Sequence, residues 1–446
     1  MVGRPSKSKQ LGIWINGQKL GRWSISASGE PMLHYEETWL SSDSAHPLSL
    51  SLPLRASNQP HRGQVVENYF DNLLPDSHSA RRELAQRYQT RTTQVFDLLE
   101  QIGRDCVGAV QLLPEGETPQ NITQIEGQAL SEAQIASLIR SLGVSAASSA
   151  NIVGKTHDLR LSIAGAQEKT ALLWHEGQWL LPHGATPTTH ILKPPLRHIG
   201  LDRRLDITTS VENEWLCLRI LSAFGVEVPR AAILQFESHK VFVVERFDRQ
   251  LHRSGQWWLR LPQEDFCQVT GTPSHLKYES EGGPGLQAIG TWLQGSYRCD
   301  KDLATLLKTQ ILFWMLAATD GHAKNFSIRL LPGAAYHLTP LYDVLSAWPV
   351  IGKTANKIAQ HKVKLAMALK GKNRHYDRTY IRREHFERFG QWLGLFNTSS
   401  ALIDDIIERT PSVIETVGQE LPAYFPDQIF TSICTNMALA AKQLSK

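Results

Sequence analysis

Asp320, Asn325 and Asp343 are three oxygen-bearing side chains whose order and spacing suit one kind of chemistry. They lie in AATDGHAKNFSIRL and the following YHLTPLYDV, with Asn325 five positions after Asp320 and Asp343 a further 18 on. Transfer of a phosphoryl group needs a carboxylate to accept the proton of the attacking hydroxyl, and an Asn with a second Asp to hold Mg²⁺ against nucleotide phosphates. On this reading Asp320 is the catalytic base, Asn325 and Asp343 are the metal ligands, and ATP is the phosphoryl donor. The pattern D-x-x-x-x-N also arises in ordinary helix caps and loops, where Asp, Gly and Asn are common. What argues beyond chance is Asp343, expected at the end of a second strand-like piece behind Leu341 and Tyr342.

The spacing from Asp320 to Asn325 equals that of the kinase catalytic loop HRDxxxxN. A kinase also needs a cation for the phosphates, and Lys193 in the apolar run HILKPP is a candidate, since an ammonium buried there without an anion would be costly. Glu214, at the start of NEWLCLRILSAFG, could pair with it, with Glu212 as competitor; the alternative is an edge-strand lysine in water and an acidic residue that simply favours a helix N-terminus. In LSIAGAQEKTALLW, Ala164, Gly165 and Ala166 are small enough for backbone amides to approach phosphate, although one glycine equally suits a plain turn. VVERFDR, an apolar strand running into polar residues, could present backbone groups to adenine or be only a strand end.

The elements that must position these residues can be traced along the chain. Its 446 residues exceed one typical domain and predict two or three lobes. With 41% hydrophobic and 20% charged residues it reads as globular rather than disordered, and a net charge of +4 permits nucleic-acid contact only where basic residues cluster. The five scattered cysteines lack metal or CxxC spacing, which predicts a reduced, cytoplasmic chain. The apolar run after the basic N-terminus is broken by Asn16 and Gly17, and no stretch approaches the roughly 20 apolar residues of a membrane span.

Asn16-Gly17 between apolar runs predicts a tight hairpin in a small β-rich module, followed by helical patterns from Asn68 to about Gly103 and a linker at PEGETPQN. Strands TALLW, THILKPP and HKVFVVERF around the 213–225 helical stretch, with Gly225 at its C-cap, predict a mixed sheet carrying one helix. From Leu259 onward helical periods dominate, broken by short strands around Ser327 to Val344. The expected units are 1–115, a β-rich N-terminal module with helix; 116–250, a region like a kinase N-lobe; and 251–446, a helical C-lobe.

The segments VVENYFDNLLPD, DCVGAVQLLPEG, SIAGAQEKTALL, PTTHILK, VERFDR, LRLPQEDFCQ, KYESEGGPG, ATDGHAKNFSI and LTPLYDVLSA together resemble the HipA family of toxin kinases, in order and over nearly the full chain. The resemblance implies an α+β, two-lobed fold of the protein-kinase and phosphoinositide-kinase type with a small β-rich N-terminal module. It places the phosphate loop on Ala164, Gly165, Ala166, Gln167, Glu168 and Lys169, the nucleotide lysine on Lys193, and the adenine hinge on Glu245, Arg246 and Phe247. The catalytic segment falls on Asp320 and on His322, Ala323, Lys324 and Asn325, and the second metal aspartate on Asp343 beside Tyr342. Ser162 matches the family's autophosphorylated serine, whose modification is understood to eject the phosphate loop and silence the kinase, as a dianion there would. The family also implies a role in persistence and three partners: a small helix-turn-helix antitoxin, operator DNA held with it, and glutamyl-tRNA synthetase as substrate. The stretch LRHIGLDRRL departs from the family's substrate-side loop in being richer in Arg.

Two other functions fit parts of the chain. DGHAKN is as close to a phosphoinositide-kinase loop as to a protein-kinase one, which suits a lipid or small-molecule kinase; a non-catalytic DNA-bound co-repressor would be expected to have lost one of Lys193, Asp320, Asn325 or Asp343. From Lys362 to Arg388 nine basic residues face three acidic ones, so Lys370, Lys372 and Arg374 are candidate DNA backbone contacts or else a solvated face.

Overall fold

The computed structural model describes residues 9–55, 57–142, 167–196, 205–354 and 356–446. β1 (Lys9–Ile15) and β2 (Gln18–Ile25) close around Asn16 and Gly17, whose φ values of 48° and 83° are those the hairpin turn requires. With β3 (Pro31–Tyr35), β4 (His61–Arg62) and β5 (Gln111–Pro114) they form an antiparallel sheet ordered β4-β3-β2-β1-β5. Its inward residues, among them Leu11, Ile13, Trp23 and Leu33, share one core with the helices Gln64–Asp71 and Val95–Ile102. Trp23 stacks on Phe70 there at 3.9 Å.

A second sheet is built from β6 (Gly127–Ala129), β7 (Thr170–His175), β8 (Gln178–Pro182), β9 (His190–Lys193), β10 (Ala231–Phe236) and β11 (His239–Glu245), ordered β10-β11-β9-β7-β8-β6. Every pairing in it is antiparallel, so the expected mixed sheet is corrected. Among the described residues the Ser210–Ala223 helix packs on one of its faces and Glu132–Ser141, from before the expected strands, on the other. Successive side chains of a strand point to opposite faces: Val241 and Val243 of β11 join the core under the helix Glu132–Ser141, whereas Phe242 and Val244 join the core under the helix Ser210–Ala223. On β9 the same alternation sends Leu192 to the first face and Lys193 toward the 210–223 helix. That helix ends at Phe224, and Gly225 follows at φ 79° as the C-cap pattern predicts.

After β12 (Arg249–Leu251) and β13 (Trp258–Arg260), the helices Leu286–Leu293, Cys299–Leu316, Arg383–Trp392, Thr398–Gln419 and Asp427–Leu444 share the large core with the 210–223 helix. A three-stranded antiparallel sheet, β14 (Gln263–Asp265), β15 (Ser327–Leu330) and β16 (Tyr336–Leu338), is set into this lobe. β16 stops at Leu338, so Asp343 does not end a strand as expected; it lies in the segment that follows, at φ 61°. β17 (Lys364–Lys370) and β18 (Arg374–Asp377) form a hairpin. Among the described residues no helix is long and apolar enough to cross a membrane.

Candidate active site

Lys193 is the last residue of β9 and is buried, so its ammonium must be met by anions. Two meet it: Glu214 Oε1 at 2.6 Å and Asp343 Oδ1 at 2.8 Å. Two residues along a helix is about 200° around it, so Glu212 and Glu214 cannot face the same strand. Glu214 turns to Lys193 while Glu212 pairs with Lys240, which decides between them. Burial pushes Glu214 up to about 7 against the pull of Lys193. Burial also works to raise Asp343, but Lys193 and Lys169 overrule it and hold that carboxyl far below the usual range, fully ionised.

Asp343 is tied to the catalytic segment through its backbone: Asn325 Nδ2 donates to the Asp343 carbonyl at 3.2 Å, and Asn325 Oδ1 accepts from the His322 N–H at 3.2 Å. The Tyr342 hydroxyl lies 2.7 Å from the Lys324 carbonyl and 2.5 Å from Ser327 Oγ. Asp320, in contrast, is exposed, which the expected role of a base for a protein acceptor requires. Its Oδ1 accepts from the Tyr278 hydroxyl at 2.5 Å, and the His322 ring stands 4.0 Å away, held neutral because burial pushes it down to about 4.

These residues open onto one cavity of about 600 Å³ between the second sheet and the helical lobe. Lys169, Lys193, Asp320, Asn325 and Asp343 line it, with Val244 and Phe247 from the strand that leads out of the sheet. Gln167 lines it too and donates to the Pro194 carbonyl at 3.2 Å, whereas Glu168 is exposed and does not face it. Lys169 is pushed down to about 8 by burial, with Asp343 acting against that and Lys193 with it. Ser162, Ala164, Gly165 and Ala166 lie outside the described residues, as do residues 197–204 of the Arg-rich stretch.

Several expected site residues do other work. Ala323 is fully buried and does not face the cavity. Lys324 lines it, but its ammonium is held by the Asn72 carbonyl at 3.1 Å, Asn72 Oδ1 at 3.0 Å and Asp76 at 3.2 Å. In the hinge, the N–H groups of Glu245 and Arg246 already donate to the Arg230 and Thr189 carbonyls, each at 2.8 Å. The Arg246 guanidinium pairs with Asp248 at 2.8 Å and Asp105 at 3.3 Å, which fastens the hinge to the N-terminal module. Phe247 lies 5.6 Å from the Tyr342 ring.

The basic stretch is thinner on the surface than in the sequence. Arg378 is buried with its guanidinium 4.8 Å from the Trp314 ring and 4.4 Å from that of Trp348; Arg383 pairs with Glu387 and Asp404, and Arg388 with Glu384. Lys370, Lys372 and Arg374 remain together at the exposed tip of the β17–β18 hairpin, with Glu279 3.8 Å from Arg374. Reasoning from the sequence missed Tyr278, Asn72 and Asp76. KYESEGGPG and VVENYFDNLLPD were conspicuous as segments, but nothing in their spacing ties them to Asp320.

Comparison with known proteins bears on the whole arrangement. Residues 161–417 match the HipA-like C-terminal domain and residues 11–113 the HipA N-terminal domain. The Sinorhizobium fredii protein Y4mE, named as a kinase, is 35% identical over 337 residues, covering 75% of this chain and 77% of that protein. The serine/threonine-protein kinase toxin HipA of Shewanella oneidensis is 25% identical over 449 residues, covering 95% and 92% of the two chains. A solved complex of Shewanella oneidensis HipA with HipB and its operator DNA contains a chain that matches with a TM-score of 0.79 at 22% identity, covering 98% of this chain and 97% of that one, which establishes the shared fold. With both domain families matched in order around a buried lysine, a paired glutamate and an Asp/Asn/Asp set, the chain belongs to the HipA family of serine/threonine protein kinases.

Proposed function

We propose that this chain is the toxin of a toxin–antitoxin pair and transfers the γ-phosphate of ATP to a serine of a protein substrate. The observation that carries the reading is the Lys193 clamp: one buried ammonium held by Glu214 and Asp343 at the wall of a cavity whose rim carries the exposed carboxylate of Asp320. In this reading Lys193 and residues 164–169 hold the phosphates, and Glu245 to Phe247 with Val244 receive the adenine. Asp320 takes the proton of the attacking hydroxyl, and Tyr278 must give up its bond to that carboxylate for the acceptor to approach.

The donor set fits Mg²⁺. Asn325 and Asp343 offer hard oxygens, Lys193 engages only Oδ1 of Asp343, and Mg²⁺ is ordinarily held by one or two such side chains together with substrate phosphates. The ion would supply charge neutralisation at the phosphates. The described residues contribute no larger cluster of metal ligands.

We further assign autophosphorylation to Ser162, a small helix-turn-helix antitoxin and operator DNA as partners, backbone contacts with that DNA to Lys370, Lys372 and Arg374, and a cytoplasmic location. The assembly of the Shewanella oneidensis relative with HipB and operator DNA supports the partners. Glutamyl-tRNA synthetase is the substrate that the family resemblance suggests. The functional units on this reading are 1–115, 116–250 and 251–446.

The test compares wild type with Asp320→Gln using labelled ATP against protein acceptors and against small hydroxyl acceptors. Transfer to protein should vanish in the variant while calorimetric ATP binding persists, because the base acts on the acceptor and not on the nucleotide. Phosphopeptide mass spectrometry should find Ser162 modified in wild type and unmodified in the variant. Wild-type turnover in Asp320→Gln would remove Asp320 as base, and labelling of small acceptors alone would make this a small-molecule kinase.

A further inference from the structure

The turn between the helices Gln64–Asp71 and His78–Arg87 belongs to the N-terminal module, yet Asn72, Leu73 and Asp76 line the same cavity as Asp320 and Asp343. It is fastened to the loop 272–277 of the helical lobe. Asp71 accepts from the Ser274 N–H at 3.1 Å and hydroxyl at 2.5 Å, and Asn72 Nδ2 donates to the Thr272 carbonyl at 2.8 Å. At the end of the turn the Asp76 carboxylate meets two ammonium groups from different segments, Lys277 on Oδ2 at 2.8 Å and Lys324 on Oδ1 at 3.2 Å.

Each of those lysines is the chain neighbour of a residue hydrogen-bonded to a carboxylate residue of the site. Lys277 precedes Tyr278, whose hydroxyl holds Asp320, and Lys324 precedes Asn325, whose amide holds the Asp343 carbonyl. The two segments also touch directly, where the Ala323 N–H donates to the Lys277 carbonyl at 3.4 Å. All three side chains are largely shielded, with exposures of 11% for Asp76, 13% for Lys277 and 5% for Lys324, so the ion pairs are poorly screened and their geometry is stiff. Asp265 is the other carboxylate near Lys324, at 3.7 Å, and it does not reach Lys277.

We infer that Asp76 is a positioning residue for phosphoryl transfer: a single carboxylate of the N-terminal module sets the placement of Tyr278 and Asp320 relative to Asn325 and Asp343, so that this module completes the catalytic site. The inference rests on the kinase reading above. A displacement of about 1 Å at a reacting group can cost on the order of 100-fold in rate, and two arms of the site that share one carboxylate are exposed to that loss together even though Asn72 also holds Lys324.

Asp76→Asn keeps the shape of the side chain and removes its charge. In the full-length protein, with kcat normalised to the fraction of molecules that bind ATP by calorimetry, it should lower kcat by roughly 10- to 100-fold while the KM for ATP stays unchanged. Asp76→Glu, which keeps the charge, should recover part of kcat. Hydrogen exchange of the 277–278 and 320–326 segments, which needs no turnover, should accelerate in Asp76→Asn while the β1–β5 sheet stays protected. Unchanged exchange in those segments, or faster exchange with wild-type kcat, overturns the inference while the kinase reading stands. A wild type without Asp320-dependent transfer overturns both.

Discussion

Two buried charge clusters, one around Lys193 and one around Asp105 and Asp248, differ in which charge is in excess and in how far they are sealed. Around Lys193 two carboxylates bind one ammonium directly, Lys169 also acts on Asp343, and Asp343 keeps 35% of its side chain open. Around Asp105 and Asp248 three guanidiniums face two carboxylates, none of the five side chains exceeding 11% exposure. There further Arg donors go to the main-chain carbonyls of Cys106, Gly108 and Ala185 and to the Thr188 hydroxyl, while Arg249 Nε and Arg260 Nε meet no acceptor among the described residues. Burial alone would raise Asp105, but Arg249, Arg246 and Arg260 hold it well below the usual range. A cluster whose carboxylate stays partly open beside a cavity can take a further cation, whereas one with surplus guanidinium buried away from it joins two parts of the chain. On the proposed function the first serves the reaction, while the second welds the N-terminal module to the segment after β11.

That contrast can be broken by removing one partner from each cluster. Asp105→Asn leaves three buried guanidiniums with a single carboxylate, and stranding buried charge costs about 3–5 kcal/mol. Chemical denaturation should register a loss of that size, with the magnesium dependence of ATP binding intact in the folded fraction. A loss within error of zero would mean the weld contributes nothing.

Lys193→Met should act on function instead. Phosphate stabilisation lost with the ammonium is expected to lower kcat/KM by on the order of 100-fold or more. The fold should survive, because Glu214, already pushed up to about 7, can take a proton in place of its partner. An unfolded Lys193→Met protein would place this cluster with the structural one.

A pH dependence sharpens the comparison at a buried carboxylate outside both clusters. Glu264 accepts the Leu50 N–H at 2.8 Å and the Ser49 hydroxyl at 2.5 Å, with no cation in either bond, and burial pushes it up to about 8. Its folded value therefore lies above its ordinary 4.5. The native chain binds the extra proton between those values, so Glu264 makes stability fall as pH rises from about 4.5 to about 8, by up to about 1.4 kcal/mol per pH unit. Urea midpoints across that window should decline less steeply in Glu264→Gln than in wild type. Identical slopes would exclude Glu264 as their source.

The weakest expected effect is on the surface. Replacing Lys370, Lys372 and Arg374 by Ala should leave stability and kinase turnover alone. Operator DNA binding by the toxin–antitoxin complex should respond less to salt, with the slope of log K against log salt shallower by about 0.9 for each phosphate that is no longer neutralised. An unaltered slope would return the hairpin tip to a plain solvated surface.

Much of the centre was legible because its chemistry is local. The Asn16-Gly17 turn, the Gly225 cap and the spacing from Asp320 to Asn325 each depend on residues a few positions apart. That Lys193 in an apolar strand requires an anion follows from the cost of burying charge. The sequence by itself thus determined the residue types that the structure gathers at the cavity and the elements that carry most of them. Only the tertiary structure decided which glutamate faces Lys193, because helix phase relative to β9 separates Glu214 from Glu212. It alone buried Arg378 between two tryptophans, took Asp343 off the strand, tied the Arg246 guanidinium to Asp105 of the N-terminal module, and brought Asp76 to residues some 200 and 250 positions away in the chain. Those outcomes rest on contacts between distant segments, whose partners are chosen by the packing of whole elements and leave no periodicity or spacing in the sequence to read.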